Sequence, residues 1–69
     1  MYKILIVDDE KIIRMGLKTT VDWESMGFEV VAEASNALEA LEKYREFFPQ
    51  VIITDIRMAM GDGFFYLMN

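Results

Sequence analysis

The 69-residue sequence contains neither cysteine nor histidine. Disulfides, thiolate nucleophiles, imidazole bases and metal sites built on either residue are thereby excluded. The lack of cysteine fits a cytoplasmic protein, which is the expected location. No stretch approaches the roughly 18 uninterrupted apolar residues of a membrane span, and the first residues lack the cationic, apolar, small-residue pattern of a leader. Bases are scarce as well. Seven stand against 12 acids, for a net charge of −5, so no nucleic-acid contact is expected within these residues and a hard cation is the favoured small partner. What is present is 54% hydrophobic and 28% charged, the balance of a globular chain. Its length allows one domain at most, burying only about 60% of the unfolded surface.

The organising stretch is VIITDIRM, residues 51–58, in which an apolar, β-branched run leads straight into Asp55. Such a run reads as a strand buried on both faces, and a carboxylate at its carboxyl end sits where open α/β sheets place their chemistry. Asp55 is the candidate reactive residue. A second run, Lys3 to Val7, ends in Asp8, Asp9 and Glu10. Between Glu10 and Val21 the apolar positions Ile12, Ile13, Gly16, Leu17, Thr20 and Val21 predict an amphipathic helix, with Lys11, Arg14 and Lys18 on a solvated outer face. Asp8 or Asp9 can cap it. Capping explains one acid there, not three in a row.

Residues 22–27 (DWESMG) break the pattern and predict a loop holding at most a helical turn, with Trp23 covering the end of the core. Phe28, Val30, Ala32 and Ala34 then alternate with Glu29, Val31 and Glu33, as on an edge strand. Asn36 followed by Glu39 signals a helix start, and Ala37, Leu38, Leu41, Tyr44 and Phe48 form its expected stripe up to Pro49. Residues 58–63 read as a loop with two glycines. The FFYLM tail is either a third helix capped by Asp62 or a short strand.

The order β-α-β-α-β with right-handed crossovers gives an α/β fold with a parallel sheet of strand order 2-1-3. The ends of the first and third strands are then neighbours, bringing Asp8, Asp9 and Asp55 together. Three carboxylates so placed repel one another unless a cation sits among them, and an oxygen-only cluster suits Mg²⁺.

At this point ILIVDDE (4–10), EASNALEAL (33–41), VIITDIRM and GDG (61–63) resemble the receiver domains of two-component response regulators. With DWESMGFEVV (22–31) the pattern is most similar to receivers that precede an AraC-type DNA-binding domain. The resemblance implies a flavodoxin-like, doubly wound fold, here truncated: residues 1–69 would be the N-terminal portion, ending in a stub of the third helix and lacking the last two strands with their helices. It implies that Asp55 accepts a phosphoryl group from a sensor histidine kinase and that the full-length protein regulates transcription. Asp9 would bind Mg²⁺ directly, Asp8 would support it, often through water, and the backbone carbonyl of Arg57 would supply a further ligand. The role is that of a phosphoacceptor, not of an enzyme with turnover.

The family's switch residues, a Ser or Thr and a Lys on the last two strands, have no counterpart within these residues. The alternative is therefore a receiver fragment without signalling activity, whose third strand becomes a bare apolar edge and pairs with a second copy as a homodimer. An aspartyl-phosphate phosphatase would need an acid where Arg57 stands. A flavin site would need a Gly, Ser or Thr-rich phosphate loop after the first strand.

Overall fold

A computed structural model describes residues 1–54. Strand β1 (Tyr2–Val7) is followed by helix α1 (Lys11–Thr20), a 3-10 turn (Glu24–Met26), strand β2 (Phe28–Ala34), helix α2 (Ala37–Phe47) and strand β3 (Val51–Thr54). Asp55, Arg57, the 58–63 loop and the expected helix stub at 64–69 lie outside the described residues.

The sheet is parallel throughout, in the expected order β2-β1-β3. β1 is its centre because its run of large aliphatics has no polar face to turn outward: Ile4, Leu5 and Ile6 are at most 1% exposed. On one face Leu5 and Val7 pack with Ala32 and Ala34 of β2, Ala40 of α2 and Ile52 of β3. The small side chains of β2 and α2 let helix and sheet approach there.

β2 carries an irregularity that its alternating sequence conceals. Ile4 pairs with Val30 but Leu5 pairs with Ala32, so Val31 is an extra residue in the ladder. Since side-chain direction has a period of two, one extra residue reverses every face that follows. Ala32 and Ala34 thereby join Leu5 and Val7, while Glu33 falls opposite Ile6 and is presented to the other face, where α1 lies.

That reversal overturns the expected sidedness of α1. Of the three bases expected on a solvated outer face, Lys11 and Lys18 are exposed, but Arg14 is drawn in, and both Arg14 and Lys18 bind Glu33 of β2. Ile12, by contrast, is 83% exposed, and no residue of α1 is fully buried. The cause is electrostatic: the bulge turns a half-buried carboxylate toward α1, where it attracts cations, and four-residue spacing on a helix supplies two on one side. The stripe expected on α2 is also rotated, because Leu38, Leu41 and Phe48 are exposed whereas Ala40 and Phe47 are covered.

The start of α2 agrees with its sequence signal. Asn36 Oδ1 accepts the Glu39 N–H at 2.8 Å, and Glu39 Oε1 accepts the N–H and hydroxyl of Ser35 at 2.7 and 3.1 Å. A capping box would return the carboxylate to the Asn36 amide; here it reaches one residue further back. These contacts hold the Glu39 carboxyl below its usual range, chiefly through the Ser35 N–H.

Gly27 closes the 3-10 turn at φ 85°, ψ 20°. Its carbonyl accepts the Tyr2 N–H at 2.9 Å, so this turn sets the start of the β1–β2 ladder. A Cβ at Gly27 would meet nothing within 4 Å, so Gly27→Ala should cost only the left-handed strain, about 1 kcal/mol. Urea denaturation should show a lowered midpoint with an unchanged slope.

Candidate functional site

The carboxyl ends of β1 and β3 lie side by side, with Val7 paired to Thr54. The next residues in the chain are Asp8 and Asp55. The expected juxtaposition of the first and third strand ends is thus present, as far as Thr54.

Asp8 is 6% exposed, the one buried polar or charged residue among those described. Its N–H extends the ladder to the Ala34 carbonyl at 3.0 Å, and its Oδ1 accepts the Glu10 N–H at 2.9 Å. Its own carbonyl accepts from Arg14 Nη1. This corrects the expected cap. The residue preceding α1 is Glu10, without a side-chain cap, and Asp8 satisfies that residue's amide rather than the first-turn amides. Asp9 is exposed. Neither acid is therefore consumed in capping the first turn of α1, which leaves Asp9 with carboxylate oxygens facing water.

Among the described residues no group of three or more acids could hold a metal ion. Asp8 and Asp9 are two members of the expected set, and the others, Asp55 and the Arg57 carbonyl, lie outside the described residues. The two acids present offer only oxygen donors, which fits a hard cation.

Sequence reasoning missed the cluster behind this end of the sheet. Arg14 Nε donates to Glu33 Oε1 at 3.0 Å, and Lys18 Nζ to Glu33 Oε2 at 2.6 Å. The signal available was the four-residue spacing of Arg14 and Lys18, but the Val31 bulge hid which strand residue they would meet. The Lys18 hydrogen bond is the main cause holding the Glu33 carboxyl below its usual 4.5, opposed by partial burial and assisted by Arg14. A depressed folded-state value means that the contribution to stability is present above 4.5 and is lost as pH falls through the lower folded value. Because the group is partly solvated, the amount is below about 1 kcal/mol. Glu33→Gln should therefore flatten the acid limb of stability below the usual carboxylate value, as read from urea midpoints across pH 3 to 6 (roughly the carboxylate range).

An open depression of mixed lining, with Val21, Trp23, Phe28 and Val30 beside Lys18, Asp22 and Glu29, lies toward the amino end of the sheet and does not include Asp8 or Asp9. Trp23 closes the turn there, donating Nε1–H to the Leu17 carbonyl at 3.1 Å. No helix of the described residues is long and apolar enough to cross a membrane.

A family model described as the response regulator receiver domain matches residues 4–69. An uncharacterized response regulatory protein of Staphylococcus epidermidis is 48% identical over 63 residues, 91% of this chain and 25% of that protein. The uncharacterized transcriptional regulatory protein YesN of Bacillus subtilis is 44% identical, over 91% of this chain and 17% of its own length. Among solved structures, the REC domain of AraT, a response regulator from Geobacillus stearothermophilus, aligns with a TM-score of 0.78 at 44% identity. That match covers 90% of this chain and 48% of the other. The chain thus spans about a quarter or less of these two curated relatives and about half of that domain structure.

Proposed function

Because the chain belongs to the response regulator receiver domain family, we propose that Asp55 is its phosphoacceptor and that the donor is the phosphohistidine of a sensor histidine kinase. The observation that carries the reading is the Val7–Thr54 pairing, which brings the chain to Asp8 and to Asp55 from adjacent strand ends.

In the reaction, a carboxylate oxygen of Asp55 attacks phosphorus, the P–N bond to the kinase imidazole breaks, and its electron pair leaves on the imidazole nitrogen. With a proton taken up by the imidazole from water, the products are an acyl phosphate on Asp55 and a neutral histidine on the kinase. Asp9, exposed, and Asp8, buried beside it, would hold Mg²⁺ together with Asp55 and the Arg57 carbonyl. When bound, Mg²⁺ offsets the negative charge of the phosphoryl oxygens facing a carboxylate nucleophile. Asp8 keeps one carboxylate oxygen on the Glu10 amide, which fits a supporting ligand better than a primary one. The chain acts in this reading as an acceptor rather than an enzyme with turnover. In the full-length protein it would work in the cytoplasm and control transcription through a separate output domain of the AraC type, since the acidic balance of these residues disfavours DNA contact of their own.

The test is incubation with Mg²⁺ and a small phosphodonor, followed by intact-mass spectrometry. A single phosphoryl adduct is expected, and no adduct at any donor concentration would refute the reading.

A second reading is favoured by one observation: β3 is the outer strand of the described sheet. In it, the chain has no signalling activity by itself and forms a homodimer through the β3 edge. Light scattering would then give twice the chain mass, and a monodisperse monomer would eliminate this reading.

A further inference from the structure

We propose that Arg14 is a positioning residue for the acidic pair, fixing the Asp8–Asp9 peptide from α1 while Glu33 of β2 fixes Arg14. The inference rests on the reading of Asp8 and Asp9 as cation ligands.

The Arg14 side chain is 14% exposed and spans two elements. Its Nε is seated on Glu33 Oε1, and its Nη1 donates to the Asp8 carbonyl. A guanidinium is planar and rigid, so seating one nitrogen decides where the other points. Glu33 is itself anchored at both oxygens, because Lys18 takes Oε2. The Asp8 carbonyl in turn shares one rigid plane with the Asp9 N–H. Holding that carbonyl sets the direction in which the chain enters Asp9, whose exposed side chain makes no hydrogen bond of its own among those found for the described residues. The Val31 bulge belongs to the same device, since without the extra residue Glu33 would be presented to the α2 face.

Charge and geometry make opposite demands here, which allows them to be separated. A guanidinium behind two carboxylates repels any cation they bind, so electrostatics alone predicts tighter binding when it is removed. A positioning role predicts weaker binding, by about tenfold if Arg14 behaves like other outer-shell partners of metal ligands.

The experiment titrates Mn²⁺ into the 69-residue chain and reads free Mn²⁺ by electron paramagnetic resonance, with circular dichroism reporting the fold. Arg14→Met should bind about tenfold more weakly than the parent. Lys18→Met, which removes an equal charge but leaves the Arg14 bonds to Glu33 and to the Asp8 carbonyl in place, should bind several-fold more tightly than Arg14→Met, and binding as weak as that of Arg14→Met overturns the proposal. A folded Arg14→Met that binds as tightly as the parent overturns the proposal. Should Arg14→Met fail to fold, Arg14→Lys decides: it keeps the charge but not the fork, so binding severalfold weaker supports positioning and unchanged binding overturns it. If the parent and Asp9→Asn take up Mn²⁺ alike, the ligand reading itself has failed and the proposal falls with it.

Discussion

Asp55→Asn should reduce the phosphoryl adduct to background while leaving the fold and cation binding partly intact. The amide has nearly the size of the carboxylate but no anionic oxygen to attack phosphorus. Among the described residues the acids at this end of the sheet are Asp8 and Asp9. Asp8 is 6% exposed and has one oxygen committed to the Glu10 amide, and Asp9 is read as a cation ligand. Asp9→Asn should behave differently: the nucleophile remains, and the adduct should form more slowly, on the order of a hundredfold if the charge it helps to offset resembles that handled by one preorganised donor. Chelation of Mg²⁺ should imitate Asp9→Asn more closely than Asp55→Asn, with recovery when the ion is restored. Intact-mass time courses on the three samples check the assignment. An adduct that persists in Asp55→Asn at the parental rate would move the acceptor to another side chain.

How far such a site can be read from sequence depends on which physical signal encodes each part. The strands were legible from apolar runs for β1 and β3 and from alternation for β2: β2 and β3 begin and end at the expected residues, and β1 begins one residue earlier, at Tyr2. Only β1 is buried along most of its length, however, and β3 is half-buried rather than covered on both faces. The placement of Asp8 beside the end of β3 was legible too, since right-handed crossovers leave few topologies for this element order. Facing was not. The alternation of β2 looks regular in sequence, yet one skipped residue at Val31 reverses its second half, and nothing local distinguishes a bulge there. The charged side of α1 was read as solvated on the general rule that lysine and arginine seek water. For Arg14 that rule yields to one half-buried carboxylate, Glu33, which also takes exposed Lys18, while Ile12, Ile13 and Met15 are left exposed. Arg14 escaped attention as a site residue for the same reason. Its link to Asp8 runs through a backbone carbonyl, which leaves no mark in the sequence.

Leu5→Ala should abolish cooperative folding at 25 °C, because the chain places its largest single dependence on the middle of β1. Leu5 has 0% exposure and lies in register between Ala32 of β2 and Ile52 of β3, with Val7, Ala34 and Ala40 in the same cluster. The β2 members of this cluster, Ala32 and Ala34, are alanines, which cannot lean into the space a lost isobutyl group leaves. The cost should therefore fall in the upper part of the range of about 2–5 kcal/mol for buried leucine truncations. A single core in a chain of this size supplies roughly 3–5 kcal/mol in all, so the substitution consumes most or all of it. Leu38→Ala provides the contrast: that side chain is 71% exposed, and its loss should change stability by less than about 0.5 kcal/mol. Far-ultraviolet circular dichroism during urea titration separates the two, with no sigmoidal transition for Leu5→Ala and a midpoint near the parent's for Leu38→Ala. A transition for Leu5→Ala within about 1 kcal/mol of the parent would mean that the site can collapse around the cavity. In that event the core would depend instead on Ile4 and Ile6 against the α1 face. If the core fails as expected, the acids fail with it, because Asp8 is held by its N–H bond to Ala34 at the end of the same ladder. Mn²⁺ binding should then be lost in Leu5→Ala and retained in Leu38→Ala.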